Sequence, residues 1–361
     1  MDYMNLNAFI SKKTTPVDYL TSWEAPSNIA LIKYWGKQDS QIPKNPSLSF
    51  TLSSSVSKTE VSFKPKKSGK FDFDFYFEKK LKPEFKPKLQ IFFKRIESYI
   101  PWIKEHDLII KSHNSFPHSS GIASSASAMA SLSLCLMDLE RHFFPSMNKS
   151  FFYQKASFLA RLGSGSAARS VLGPVTLWGE NRTLETCSNL YAINLGEDLN
   201  PVFKSYQDTI LLVDRGIKVI SSSKGHDLMH EHPFASNRFL QASNNLDSLL
   251  PIMKSGDIDA FIKIVELEAL SLHAMMMTST PYFILIKPNT LEIIQRIWDF
   301  RMSQKIPICF TLDAGANVHL LYPLEYKRHV LSFIDRDLKS FCENEQYLID
   351  QVGQGLSLIH I

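Results

Sequence analysis

The sequence predicts an α+β chain folded as two joined domains, and three observations carry that expectation. Its 361 residues exceed the size at which one hydrophobic core usually stops growing. Stretches with strand alternation and stretches with helical periodicity are interleaved in both halves. Hydrophobic residues at 44% and charged residues at 21% place the chain among ordinary globular proteins, with enough apolar material for a sizeable core.

The elements follow in order. Residues 28–52 begin as an apolar run, pass through a loop rich in Pro and Asn, and resume with alternating Leu48, Phe50 and Leu52, a strand–loop–strand pattern. Lysines interleaved with Phe71, Phe73, Phe75 and Phe77 could form a stacking surface for nucleic acid. The strict Phe/Asp alternation after the Ser68-Gly69 turn instead predicts a half-buried hairpin strand, with the lysines on solvated loops. The net charge of +4 is too small to imply nucleic acid, although a mild excess suits an anionic metabolite. Helical periodicity follows at 90–99, 124–139 and 151–162, and a strand pattern at 174–178. Beyond Tyr191 the pattern predicts strands at 210–213, 308–312 and 318–321, and helices at 233–249, 258–277, 289–305 and 326–341. The expected division is a first domain over 1–195 and a second over 196–355.

Cys135, Cys187, Cys309 and Cys342 are far apart and lack C-x-x-C spacing, so neither a zinc site nor a disulfide framework is expected, and a reducing cytoplasm is. The first 23 residues are mixed and polar, and no run of about 18 apolar residues occurs, so an exported or membrane-spanning protein is not expected. Without a secretory route the sequons at Asn148 and Asn181 are chance matches. Residues 356–361 resemble the translation of a sequencing adaptor and are expected to be a non-native tail.

Four segments suggest chemistry. Residues 114–128 form a polar loop containing Pro117 and Gly121 that runs into a helix of small residues. A helix N-terminus offers unpaired N–H groups and partial positive charge, and small side chains let an anion approach the backbone. Ser119, Ser120, Ser124 and Ser125 add hydroxyls that could donate to phosphate or help hold magnesium. The alternative is a buried helix whose small residues only allow close packing. No G-x-x-x-x-G-K-[ST] occurs, which disfavours an ordinary P-loop NTPase. Lys33 and Lys37, four apart, could neutralise a carboxylate or phosphates, or could be snorkelling lysines on a strand edge. Residues 163–169 supply a pliable backbone, two hydroxyls and the guanidinium of Arg169, whose fork matches a carboxylate, or else form a flexible loop. Asp313 falls on a turn between two apolar strand-like runs, a place for a general base or for a simple Asx turn. His226, His230 and His232 lack a further ligand type for a metal, and polar surface or capping roles are expected of them.

The loop from Pro117 to Ala126 resembles the phosphate-binding loop of GHMP-type kinases. Three further segments, 25–37, 160–170 and 311–317, narrow the resemblance to diphosphomevalonate decarboxylases, and all four occur in the family's order. The resemblance implies the GHMP kinase fold: an N-terminal domain like ribosomal protein S5 domain 2, a C-terminal ferredoxin-like domain, and an active cleft between them. It implies ATP with magnesium over Pro117, Ser119, Ser120, Gly121, Ala123, Ser124 and Ser125, the last two being candidate magnesium ligands. By the same resemblance Asp313 is the catalytic aspartate, Lys33 faces the reacting centre, and Arg169 holds the departing carboxylate. Asn28, Tyr34, Lys37, Ser164, Ser166 and, by a looser match in 221–226, Lys224 bind or orient the substrate. Ala316 replaces a proline common in the family, a change of loop stiffness. The implied reaction is ATP-dependent decarboxylation of diphosphomevalonate to isopentenyl diphosphate by a cytoplasmic homodimer. A monophosphate substrate, a kinase that stops at phosphorylation, and a non-catalytic ligand-binding paralogue are the alternatives.

Overall fold

The computed structural model describes residues 6–66, 71–117, 122–214, 216, 222–355 and 357–358. The first half is built on a mixed sheet. Strands β1 (Tyr19–Ala30), β2 (Ser47–Pro65), β3 (Phe73–Phe77), β4 (Lys80–Leu81), β5 (His106–Asn114), β6 (Val175–Trp178) and β7 (Ala192–Asn194) join β12 (Ser357–Leu358) in it. The main path runs β12-β1-β2-β5-β3-β4, with β6 bridging β2 to β7. Helices α1 (Lys86–Ile96), α2 (Ser124–Phe143) and α3 (Lys149–Gly163) accompany this sheet. Of the expected tail, Ser357 and Leu358 pair with Glu24 and Trp23, and its other residues lie outside the described ones.

The alternating phenylalanines do form a strand, with Phe73 buried and Phe75 and Phe77 half-buried. The expected hairpin is corrected, because β3 runs parallel to β5 and turns back only into the two-residue β4. Parallel pairing needs a crossover, here supplied by α1, and local alternation carries no information about it.

Helix α2 shows why its sequence is so poor in large side chains. Ser127 Oγ and Ser57 Oγ lie 2.6 Å apart, Ser131 Oγ and Thr59 Oγ1 2.7 Å, and Cys135 Sγ donates to Thr59 O at 3.2 Å. The small residues therefore seat the helix on β2, as the packing alternative held, while Ser125 at its start is exposed. Ala123 ahead of it adopts the left-handed region at φ 42°, a strained choice for a residue with a Cβ. Helix α3 starts on Asn148, whose side chain accepts from Phe151 N–H at 2.7 Å. It ends at Gly163, where a Cβ would lie 2.6 Å from Met129 Sδ.

The second half carries α4 (Pro201–Lys204), β8 (Gln207–Leu211), α5 (Ser222–Asp227), α6 (Ala235–Ser255), α7 (Ile258–Met277), α8 (Pro288–Gln304), β9 (Cys309–Leu312), β10 (Val318–Tyr322), α9 (Lys327–Phe333) and β11 (Tyr347–Gln351). Its antiparallel sheet has the order β11-β8-β10-β9. The helix expected over 326–341 is shorter, passing into a π turn at Ile334–Leu338 and a 3-10 turn at Lys339–Phe341.

One apolar cluster joins the halves. Ile29, Leu31 and Phe50 of the first pack with Phe203, Tyr206, Leu246 and Phe261 of the second. The Phe50, Phe203 and Phe261 rings have centroids 4.8–6.5 Å apart. Truncating one such ring to alanine costs about 3–5 kcal/mol. This shared core fixes the segment after β1 against α6 and α7, and that junction is where the polar residues collect.

Candidate active site

A bulge between Pro26 and Asn28 interrupts the β1–β2 register and re-aims the end of the strand. Asn28 Nδ2 donates to Ser170 Oγ at 2.7 Å and to Ser166 O at 3.2 Å, tying β1 to the 3-10 turn Gly165–Ser170. Tyr34 packs over the same turn, and a Cβ at Gly165 would meet its hydroxyl at 2.6 Å. Only glycine fits there. Asn28, Tyr34, Ser164, Ser166 and Arg169 thus share one wall, with Ser164 and Ser166 half-buried.

Lys33 is 1% exposed, so the strand-edge alternative is excluded. Its Nζ donates to Ala30 O at 2.6 Å and lies 3.5 Å from Asp313 Oδ1. Burial pushes the Lys33 ammonium down to about 8; Asp313 and Glu268 oppose that shift and Arg169 adds to it. Asp313 follows β9 on the turn to β10, with its backbone carbonyl accepting from Gly315 N–H at 2.7 Å and lying 3.0 Å from His273 Nε2. Its side chain is 27% exposed and faces the junction.

Arg169 is 2% exposed, and its Nε and Nη1 have no hydrogen-bond acceptor among the described residues. Burial draws the guanidinium down to about 10, against the pull of Asp313, so it stays charged near neutrality. A buried cation with two unmatched donors is costly, and a carboxylate is the partner its planar fork fits. The Tyr34 hydroxyl is also buried with no hydrogen-bond partner among the described residues, and burial raises its pKa.

Lys37 reaches the same region and lies 3.6 Å from Asp227. The looser match at 221–226 falls largely on α5, where Lys224 is exposed. His226 and His232 correct the expectation of surface roles, since both are buried; His232 does serve helix ends, its Nδ1 accepting from Phe234 N–H at 3.1 Å ahead of α6 and its Nε2 lying 3.0 Å from Met275 O at the end of α7. His226 Nδ1 accepts from Gly36 N–H at 2.9 Å, and its ring packs on Tyr34 and Trp35 at centroid distances of 4.2 and 4.7 Å. Burial, with Lys37 adding to it, pushes His226 down to about 3, so it is neutral. His230 is exposed.

Of the loop residues, Ser119, Ser120 and Gly121 lie outside the described ones. Pro117, Ala123 and Ser124 are half-buried and Ser125 is exposed. Beside the start of α2 opens a groove lined by Leu89, Met129 and Leu132 and by Phe75, Phe77 and Phe85. Ser124 and Ser125 stand at its rim, and Lys88 Nζ donates to Ser125 Oγ at 3.0 Å. Sequence reasoning placed Phe75 and Phe77 on a strand and gave Phe85 no role. The signal available was their alternation a short chain distance before the small-residue helix.

Residues 25–189 match the model of the diphosphomevalonate decarboxylase-like N-terminal domain, and residues 209–356 match the mevalonate 5-diphosphate decarboxylase C-terminal domain. The chain belongs to the diphosphomevalonate decarboxylase family. The diphosphomevalonate decarboxylase of Debaryomyces hansenii is 28% identical over 336 residues, 88% of this chain and 82% of that protein. The phosphomevalonate decarboxylase of Haloferax volcanii is 26% identical over 302 residues, 80% of this chain and 84% of that one. The solved structure of MDDEF in complex with MVAPP, AMPPCP and magnesium matches with a TM-score of 0.80 and 26% identity, covering 95% of this chain and all of that one. This member of the family has the GHMP kinase fold, in which the α+β architecture and its two sheets were expected.

Proposed function

We propose that this chain catalyses the ATP-dependent decarboxylation of (R)-5-diphosphomevalonate to isopentenyl diphosphate, releasing ADP, phosphate and carbon dioxide, in the mevalonate pathway of isoprenoid synthesis. The observation that carries the reading is Arg169, a buried guanidinium with two unmatched donors beside the Lys33–Asp313 pair. That set suits a small acid whose carboxylate leaves and whose hydroxyl reacts. MDDEF binds MVAPP, AMPPCP and magnesium, and family membership extends those ligand classes to this chain.

In this reading Asp313 accepts or orients the proton of the substrate's 3-hydroxyl, whose oxygen forms a bond to the γ-phosphorus while the bond to ADP breaks. MgATP supplies that phosphoryl group, turning a poor leaving group into a good one. Lys33 neutralises negative charge at the reacting centre. Arg169 holds the carboxylate so that its C–C bond lies ready to break. As the C3–O bond breaks, its electron pair leaves with the phosphate, the electron pair of the C–C bond to the carboxylate forms the new double bond, and carbon dioxide departs. Fixed donors and charges in a dry cleft provide most of such an acceleration.

Lys37, Ser164, Ser166, Tyr34 and Lys224 would grip the diphosphate region, with Asn28 holding their wall in place. The N-terminal turn of α2, with Pro117, Ala123, Ser124 and Ser125, would receive the nucleotide phosphates, its serines helping to place magnesium. The phenylalanine groove beside it fits a purine base. A division of the chain near residue 195, a cytoplasmic location and a homodimeric state belong to the same proposal. The first has the support of the two sheets and of the gap between the matched segments at 190–208.

The discriminating experiment gives the enzyme MgATP with diphosphomevalonate or with its monophosphate and compares kcat/KM. The number of cationic and hydroxyl donors around Lys37 favours the diphosphate. Equal or reversed values would move the assignment to a phosphomevalonate decarboxylase such as that of Haloferax volcanii.

A further inference from the structure

Glu268 lies in the middle of α7, 0% exposed. From α6, Arg238 Nη1 donates to its Oε1 at 3.0 Å, Arg238 Nη2 donates to Oε2, and Asn245 Nδ2 donates to Oε1 at 2.6 Å. Those bonds stay within the second half. One more does not: the backbone N–H of Lys33 donates to Glu268 Oε2 at 2.9 Å. Lys33 O accepts in turn from Asn45 Nδ2 at 2.9 Å, so both backbone groups of this residue are fixed by side chains. We propose that Glu268 is a positioning residue that holds Lys33 against Asp313 across the junction between the two halves.

The inference rests on the decarboxylase reading, in which Lys33 faces the reacting centre. A role confined to pinning α6 to α7 explains it less well. A buried ion pair often adds little stability over an apolar pair of the same size, and such a pin has no use for a bond to the far half. The groups facing Lys33 are Asp313 from the turn after β9, Glu268 from α7 with Arg238 behind it, and Arg169 from the 3-10 turn. His273 Nε2 lies 3.0 Å from the Asp313 carbonyl oxygen. Glu268 is one of two carboxylates opposing the loss of the Lys33 proton. Its charge therefore helps set the pH at which Lys33 loses its proton, and activity needing the Lys33 cation falls as pH rises through this value.

The test follows Lys33 at Nζ by 15N NMR as pH is raised, alongside the pH profile of kcat/KM, in the wild type, Glu268→Gln and Glu268→Asp. Glu268→Gln removes a nearby negative charge, so the Lys33 midpoint and the alkaline fall in activity should both move down by roughly 1 pH unit. Glu268→Asp keeps the charge and should leave the midpoint in place, while its shorter arm lowers kcat. The double variant Arg238→Gln/Glu268→Gln leaves no lone buried ion and stands in if the single variant does not fold. Its midpoint too should fall below that of the wild type. An unmoved midpoint in a folded variant lacking the Glu268 charge overturns the inference. A wild type that releases no carbon dioxide sinks the decarboxylase reading separately, since the NMR titration needs no turnover.

Discussion

Two regions of this molecule present their hydrogen-bond donors by opposite means. At the start of α2 the donors are backbone N–H groups and hydroxyls at the surface, and Ser125 is exposed. In the cleft the donors are whole cations taken out of water: Lys33 at 1% and Arg169 at 2% exposure, with Asp313 alongside. The first arrangement is inexpensive to build and suits a ligand that must come and go at every turnover. The second is costly to assemble, because each desolvated charge must be offset by its neighbours. In the proposed function, nucleotide binding falls to the helix start and the bond-making steps to the cleft. The cleft is wired from both halves, through Glu268, His226 and Asn28, while α2 is seated within the first half, on β2 by a ladder of small hydroxyls and on β1 through Asp138.

The contrast is sharpened most by Asp313→Asn. Turnover should fall on the order of 1,000-fold, the middle of the range for a positioned acid–base group, while MgATP binding, measured by calorimetry, stays within about twofold because the carboxylate does not serve the α2 start. A variant keeping more than a tenth of wild-type kcat, a barrier change under about 1.4 kcal/mol, would break the assignment. Next in size is Arg169→Lys, which preserves charge and removes the planar fork. The expected loss is about 2–3 kcal/mol of transition-state stabilisation, seen chiefly in kcat. If carbon dioxide release by this variant matches that of the wild type, the unmatched donors of Arg169 are not what holds the carboxylate.

How much of this was legible depended on whether the signal was local. Helix α7 was read from 258 to 277 and found over Ile258–Met277, because its apolar periodicity begins at an Asp257 cap and ends near a proline turn. Asp313 was legible for a similar reason, lying between two short apolar runs that become β9 and β10. Pairing was not legible, since the parallel partner of β3 lies beyond a helix, and β5 itself was missed because His106, Ser112 and His113 dilute its alternation. The burial of His226 depends on Tyr34 and Trp35, remote in sequence. Glu268 looks like one more charge on an amphipathic helix until Arg238, Asn245 and the Lys33 backbone converge on it. The lysines gave two open readings at the sequence level, and only the depth of Lys33 separates them.

The account stands or falls on whether phosphoryl transfer and loss of the carboxylate are one enzyme's work. The most direct measurement follows ADP and carbon dioxide together as the wild-type protein turns over MgATP and diphosphomevalonate. One carbon dioxide released for each ADP formed is the predicted result. ADP accumulating with a stable 3-phosphate and no carbon dioxide would contradict it, leaving a kinase in which Arg169 merely binds the acid.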